Sequence, residues 1–314
     1  MERPERKEQN MERGSEFRVL YEGDHDETWL DMRRKTGVGA SESPAILGLS
    51  PFGSSMELYA RKVGVLGEIE DNEAMKWGRI LEGAVLQEFS KEVGRNLRPD
   101  GRILQSIEAP YLICTPDAMD QHGVVQVKVS GVSKWWVDEI PKWVWGQVQH
   151  ECAVTGMNIA TVVVLVGGTK LLWQHVQRDN RFIETILMPQ CEEFWRCVTE
   201  RIPYMRTDGD QESVHRALTA LYPKDTGGTI HLDDGAFVGL HNEREELRER
   251  KAATERRLAE IDNQFRARIG KATYAVLPNN VIYSLITTVL EPKLIERKGA
   301  TYRTLRSKKG IENG

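Results

Sequence analysis

The chain has 314 residues, with 43 Lys and Arg against 47 Asp and Glu for a net charge of −4 with histidine neutral. That length holds one large domain, or one domain with an appendage, and no apolar run is long enough to span a membrane. The charge balance excludes a uniformly basic nucleic-acid coat while leaving room for a local basic patch, and the four cysteines (Cys114, Cys152, Cys191, Cys197) form no C-x-x-C pair, which argues against a zinc ribbon or an iron–sulfur cluster.

The stretch from Met1 to Phe17 is charged and nearly devoid of apolar residues, so it is not a secretory signal. Residues 1–20 are expected as a disordered lead-in. Glu27 to Arg34 reads as a short helix, broken by Gly37 and Gly39, after which Ser41 caps a second helix from Glu42 to Leu47. Met56 to Val63 is helical, and Ala74 to Val93 more strongly so, with Leu81, Val85, Phe89 and Val93 on one side and Gly94 as its stop. Two short strands follow, Tyr111 to Cys114 and Val124 to Val129. Pro141 opens a helix that Gly156 closes after Thr155. Thr161 to Val166 and Leu171 to Gln177 read as strands joined by Gly167-Gly168, and Asn180 to Arg201 as a helix. Mixed strands flanked by helices predict an α/β core over 21–205.

From 206 to 314 the composition shifts, and a C-terminal extension is expected. Its long charged helix, 240–269, carries only a sparse apolar stripe (Leu240, Leu247, Leu258, Ile261, Phe265) and needs a partner surface. The tail ends basic, from Lys293 to Lys309, and a solvated surface is the commoner reading of such charge.

The chemistry gathers at Thr115-Pro116-Asp117 and Gln126-Val127-Lys128. Asp117 ends one strand, and Gln126 and Lys128 share a face of the next, because residues two apart in a strand point the same way. A carboxylate, a second oxygen ligand and a lysine at one spot suit metal-assisted attack of water on a phosphodiester. The bland reading of Asp117 is a turn cap, and that of Glu82 a solvated helix carboxylate. Trp135, Trp136, Trp143 and Trp145 read as core and interface anchors. His150 and His175 lack metal-ligand partners at useful spacing.

Four segments fit one pattern: the run from Arg34 to Ser41, Trp77-Gly78-Arg79-Ile80-Leu81-Glu82, the Asp117 and Lys128 pair of motifs, and Gln147-Val148-Gln149. In this order the chain resembles the phage lambda exonuclease and YqaJ-like viral recombinase family, a branch of the PD-(D/E)XK nuclease superfamily. The resemblance implies a restriction-endonuclease-like mixed β-sheet flanked by helices. It implies a Mg²⁺-dependent 5′→3′ exonuclease on linear double-stranded DNA, leaving 3′ single-stranded tails for recombination by strand annealing. Asp117, the side chain at 126, the Val127 carbonyl and Glu82 would hold two Mg²⁺ ions, with Mn²⁺ as a substitute. Lys128 would assist the water, and Arg34, Ser41 and Gln147 would seat the 5′-phosphate. A ring-shaped homotrimer, a single-strand annealing partner and a phage- or prophage-encoded protein in the bacterial cytoplasm are implied likewise. Gln126 departs from the family's acidic residue: a variant that still cuts, a disabled DNA-end-binding homologue and an engineered Glu→Gln trap all remain open. A PD-(D/E)XK endonuclease is the other alternative.

Overall fold

The computed structural model describes residues 16–288, apart from 24–26, 68, 70, 132–135, 137–138 and 233. Trp135, the lead-in before Glu16 and the basic tail at 293–309 lie outside the described residues. In chain order, β1 (Phe17–Tyr21), α1 (Glu27–Thr36), β2 (Val38–Gly39), α2 (Ser43–Ile46), α3 (Ser55–Lys62) and α4 (Glu73–Glu92) lead to β3 (Ile103–Ser106), β4 (Leu112–Cys114), β5 (Ala118–Asp120) and β6 (Gly123–Ser130). Then come α5 (Lys142–Thr155), β7 (Ile159–Val166), β8 (Lys170–Gln177), α6 (Asn180–Phe182), a π turn (Ile183–Leu187), α7 (Met188–Glu200) and α8 (Gln211–Leu221).

The strands form two four-stranded mixed sheets, ordered β1-β3-β4-β2 and β5-β6-β7-β8. In the second, β6 runs parallel to β7 with Gln126 opposite Val162 and Lys128 opposite Val164, while β5 and β8 pair antiparallel at the edges. Alternation along β6 divides its side chains between two cores. Val124 packs with Val144, Val148 and Cys152 of α5 and with Val162 and Val164. Val125 and Val127 pack instead with Val85, Leu86 and Phe89 of α4. Gln126 and Lys128, sharing the parity of Val124, therefore face α5.

The β5–β6 turn is tight and strained in a way only glycine tolerates. Gly123 has φ of 136°, and a Cβ built on it would stand 2.1 Å from the Ile159 carbonyl oxygen. Gly123→Ala is expected to cost about 2–4 kcal/mol and to lower the melting temperature by roughly 5–10 °C. Thermal denaturation followed by circular dichroism checks it; an unchanged Tm would show that β6 and β7 can part at Gly123 and Ile159 without penalty.

Several expectations shift. Phe17–Tyr21 is not part of a disordered lead-in: it is strand β1, paired with β3 from Phe17↔Ser106 onward. Ser41 does not cap a helix. It sits in the turn before α2, whose N-cap position is Glu42 with no side-chain capping bond. The first compact unit runs to Pro223 rather than ending at 205, because α8 buries Val214 and Ala217 with Met56 and Ala60 of α3. The long helix 180–201 is interrupted by the π turn. All four cysteines are buried free thiols, and no described helix is long and apolar enough to cross a membrane.

The second unit, described by itself, holds α9 (Gly235–Ile269) and the hairpin β9 (Tyr274–Val276) and β10 (Ile282–Ser284). No residue of α9 is buried, and Leu240, Leu247 and Leu258 stay exposed. Phe265 stacks on Tyr283 with ring centroids 4.1 Å apart.

Candidate functional site

The site forms where β5 begins, where β6 crosses the middle of its sheet, and where α5 lies over that face. Asp117 immediately precedes β5, and its Oδ2 accepts the Val127 backbone N–H at 2.6 Å. The Gln126 side-chain amide also donates to Asp117 Oδ2, and at 3.3 Å to the Val127 carbonyl. One NH₂ group thus bridges the two oxygens. A chain of amides continues from there: Gln147 Nε2 donates to Gln126 Oε1 at 2.6 Å and to Glu151 Oε1 at 3.0 Å. Lys128 Nζ donates to Gln147 Oε1 at 3.1 Å and lies 5.8 Å from the Trp143 ring.

Among the described residues, no three His, Cys, Asp or Glu side chains converge as a metal-holding group. The oxygens present nevertheless fit a hard cation: a carboxylate, a backbone carbonyl and an amide oxygen are the donors Mg²⁺ and Mn²⁺ prefer. The Gln126 NH₂ lies between two of them. Asp117 Oδ2, the Val127 carbonyl and, with its amide turned, Gln126 Oε1 would hold such an ion.

Water is scarce around these groups, and their acidity shows it. Loss of hydration pushes the Asp117 carboxyl up to about 7 against the pull of Lys128, with Glu82 adding repulsion. Burial pushes Glu151 up to about 8, with Asp117 adding repulsion. Glu82, on α4, is raised by desolvation and lowered by Lys128, so it shares the field of the site. His150 goes the other way, held down to about 4 by burial, with its Nε2 3.1 Å from the Ile113 carbonyl oxygen.

These shifts set an unusual pH response for the metal-free protein. The raised carboxyls of Asp117 and Glu151 give stability that is full below about pH 4 and lost as pH rises through about 7 and 8. The depressed His150 gives stability that is full above about pH 6.5 and lost as pH falls through about 4. Melting in the presence of a chelator is therefore expected at lower temperature near pH 8.5 than near pH 6. A Tm that climbs over that interval would show the two carboxyls to be ionised without cost.

The expected phosphate-seating group is only partly assembled. Gln147 lies in the network, on α5 and beside Lys128. Ser41 Oγ accepts from Arg33 Nη2 at 3.1 Å, and Arg33 also lies 4.7 Å over the Trp29 ring. Arg34 pairs with Asp31 at 3.2 Å. The structure puts Arg33 beside Ser41. A buried lysine shapes this turn: Lys62 Nζ donates to the Gly37 carbonyl at 2.8 Å and the Arg33 carbonyl at 3.2 Å, and pairs with Glu42 Oε2 at 2.8 Å. Glu42 Oε2 in turn accepts the Gly39 N–H at 2.7 Å.

Two residues escaped the sequence reading, Arg33 and Glu151. For Glu151 the signal was present: it follows Gln147 by four positions, so the two share a face of α5. Gln149, two positions from Gln147, points elsewhere and bonds the Gln177 carbonyl at 2.8 Å.

Residues 28–158 match the family model described as the YqaJ-like viral recombinase domain. The chain is 33% identical over 175 residues to the uncharacterized protein YqaJ of Bacillus subtilis (strain 168), an alignment spanning 53% of this chain and 54% of that protein. It therefore spans about half the length of the relative it matches. Among solved structures it is similar to an alkaline exonuclease, LHK-Exo, from Laribacter hongkongensis, with 18% identity, a TM-score of 0.47, and coverage of 63% of this chain and 100% of that one. A phage-related exonuclease from Haemophilus somnus 129PT is similar at 12% identity and a TM-score of 0.44, covering 53% of this chain and 97% of that one.

Proposed function

We propose that this chain, whose residues 28–158 match the YqaJ-like viral recombinase domain, is a metal-dependent deoxyribonuclease that digests one strand of linear double-stranded DNA from its 5′ end. The observation that carries the reading is the single NH₂ of Gln126 bridging Asp117 Oδ2 and the Val127 carbonyl. Two oxygens held around one small positive group are a cation site in outline. Asp117, the Val127 carbonyl, Gln126 Oε1 and Glu82 would hold Mg²⁺ or Mn²⁺. Bound there, the ion supplies a Lewis acid that activates water and offsets charge growing on the phosphate.

The chain's own residues do the rest. Lys128, fixed by Gln147 and packed near Trp143, places an ammonium where a phosphate oxygen or the attacking water would lie. Gln147 orients Lys128 through its oxygen and Gln126 through its nitrogen, so it couples two functional side chains. At the turn between α1 and α2, Arg33 and Ser41 offer a guanidinium and a hydroxyl to a terminal 5′-phosphate, the pairing that makes guanidinium the preferred phosphate ligand. A ring-forming homotrimer around duplex DNA, action with a single-strand annealing protein, and a phage-encoded origin in the bacterial cytoplasm complete the proposal.

A second reading has its own observation: the side chain at 126 is a neutral amide, which suits a protein that binds DNA ends without cutting. End-labelled substrates separate these readings. In Mg²⁺, linear duplex is expected to release its 5′-phosphorylated label first, while closed circular duplex stays intact. Cutting of the circle would make the chain an endonuclease. Tight binding of ends with no release at any metal concentration would make it an end-binding protein.

A further inference from the structure

Glu151 is fully buried, and its two oxygens are treated unequally. Oε1 accepts from Gln147 Nε2 at 3.0 Å, while Oε2 is enclosed with no hydrogen-bond partner among the described residues. A carboxylate oxygen left this way costs on the order of 1–3 kcal/mol or more, so its retention asks for a use. Gln147 Nε2 also donates to Gln126 Oε1 at 2.6 Å, which places the Glu151 carboxyl and the Gln126 amide within hydrogen-bond reach of one shared nitrogen.

Resting on the proposal that this cluster holds a cation, we infer that Glu151 is a positioning residue: its Oε2 receives the Gln126 NH₂ when the amide turns its oxygen toward the ion, and the charge it takes on once the cation is bound supplies what the amide at 126 lacks. The half-turn is otherwise obstructed. With Gln147 held by Lys128, a turned Gln126 would set its NH₂ against the Gln147 NH₂, donor against donor. The unused acceptor is Oε2 of Glu151, on the carboxyl that already shares the Gln147 nitrogen. Two residues, an amide on β6 and a carboxylate one strand-to-helix layer away on α5, thus share the work of a single acidic ligand.

The effect of Glu151→Gln changes sign with the residue at 126. In the native chain, Glu151→Gln removes the charge and the acceptor of the turned amide, and Mn²⁺ affinity falls about ten- to a hundredfold, the usual range for losing a residue that orients a ligand. In the Gln126→Glu background no amide has to turn, and Glu151 becomes a like charge beside the new carboxylate. There Glu151→Gln leaves Mn²⁺ affinity unchanged or tightens it.

Titrating Mn²⁺ into the full-length chain by electron paramagnetic resonance, on the four combinations of Gln126→Glu and Glu151→Gln, reads this directly. Chelator-treated melts on the same samples separate folding from binding: Glu151→Gln relieves a buried carboxyl, so the metal-free Tm holds or rises. An equal loss of affinity in both backgrounds, no loss in either, or a metal-free Tm several degrees lower for Glu151→Gln than for the native chain would overturn the inference. If neither the native chain nor Gln126→Glu binds Mn²⁺, the proposed metal site itself fails, and the inference with it. Loss of Mn²⁺ binding in Asp117→Asn, beside a null result for Glu151→Gln, would keep the site and reject only the role of Glu151.

Discussion

Gln126→Glu is expected to tighten Mn²⁺ or Mg²⁺ binding by about ten- to a hundredfold, because a full charge replaces a dipole at a site where water is scarce. The same change should weaken the metal-free fold. The amide now donates to Asp117 and to the Val127 carbonyl, and a carboxylate can do neither unless protonated. It would also stand near Asp117 and Glu151, whose acidities are already suppressed to about 7 and 8. Three such carboxyls in one pocket cost about 2–4 kcal/mol near pH 8 unless they share protons. Calorimetric titration and melting curves with and without metal test both halves. The expected result is a metal-free Tm several degrees below the native chain and a larger rise when metal is added. A variant that binds metal no better than the native chain would remove Gln126 from the donor set.

Asp117→Asn is expected to have the larger effect on turnover. The substitution keeps the side chain's shape and one oxygen to accept the Val127 N–H, so the β5–β6 register should persist. It removes the charge around which the other donors are arranged. DNA digestion should fall on the order of a thousandfold or more, beyond the loss typical of one neutral catalytic contact. The metal-free fold should gain stability above about pH 7, since a desolvated carboxyl is no longer forced to ionise. Nucleotide release together with a Tm measured near pH 8 gives both readings. Activity retained to within tenfold would place the reacting metal elsewhere.

Much of this site was legible in the sequence because strand parity is a strict code. Once β6 is recognised, Gln126 and Lys128 must share a face, and the apolar 125 and 127 must take the other. Asp117 two residues past Thr115 and ahead of the turn into β6 was equally readable, and Gln147 follows from the helix that Pro141 opens. What escaped depended on contacts distant in sequence. Phe17–Tyr21 looks too charged in its surroundings to be ordered, and becomes a strand only because β3 offers it an edge. Gln211–Leu221 falls in a polar region, and its helix is held by apolar residues of α3 some 150 positions earlier. That Arg33 meets Ser41 was beyond any motif, because adjacent helix residues point about 100° apart and the contact is made only in the folded turn. Glu151 was visible in spacing but had no reason to be singled out until Gln147 was found donating to it and to Gln126 through one nitrogen.

The claim that the cluster of Asp117, Gln126, Lys128 and Gln147 is a metal-dependent nuclease centre is tested most directly by digestion of linear, 5′-phosphorylated duplex DNA. The native chain and Gln126→Glu would be run side by side in Mg²⁺, in Mn²⁺ and in chelator. The account predicts metal-dependent release of nucleotides that is faster with Gln126→Glu and absent in chelator. Release that ignores the metal, or DNA bound by both proteins and cut by neither, would contradict it.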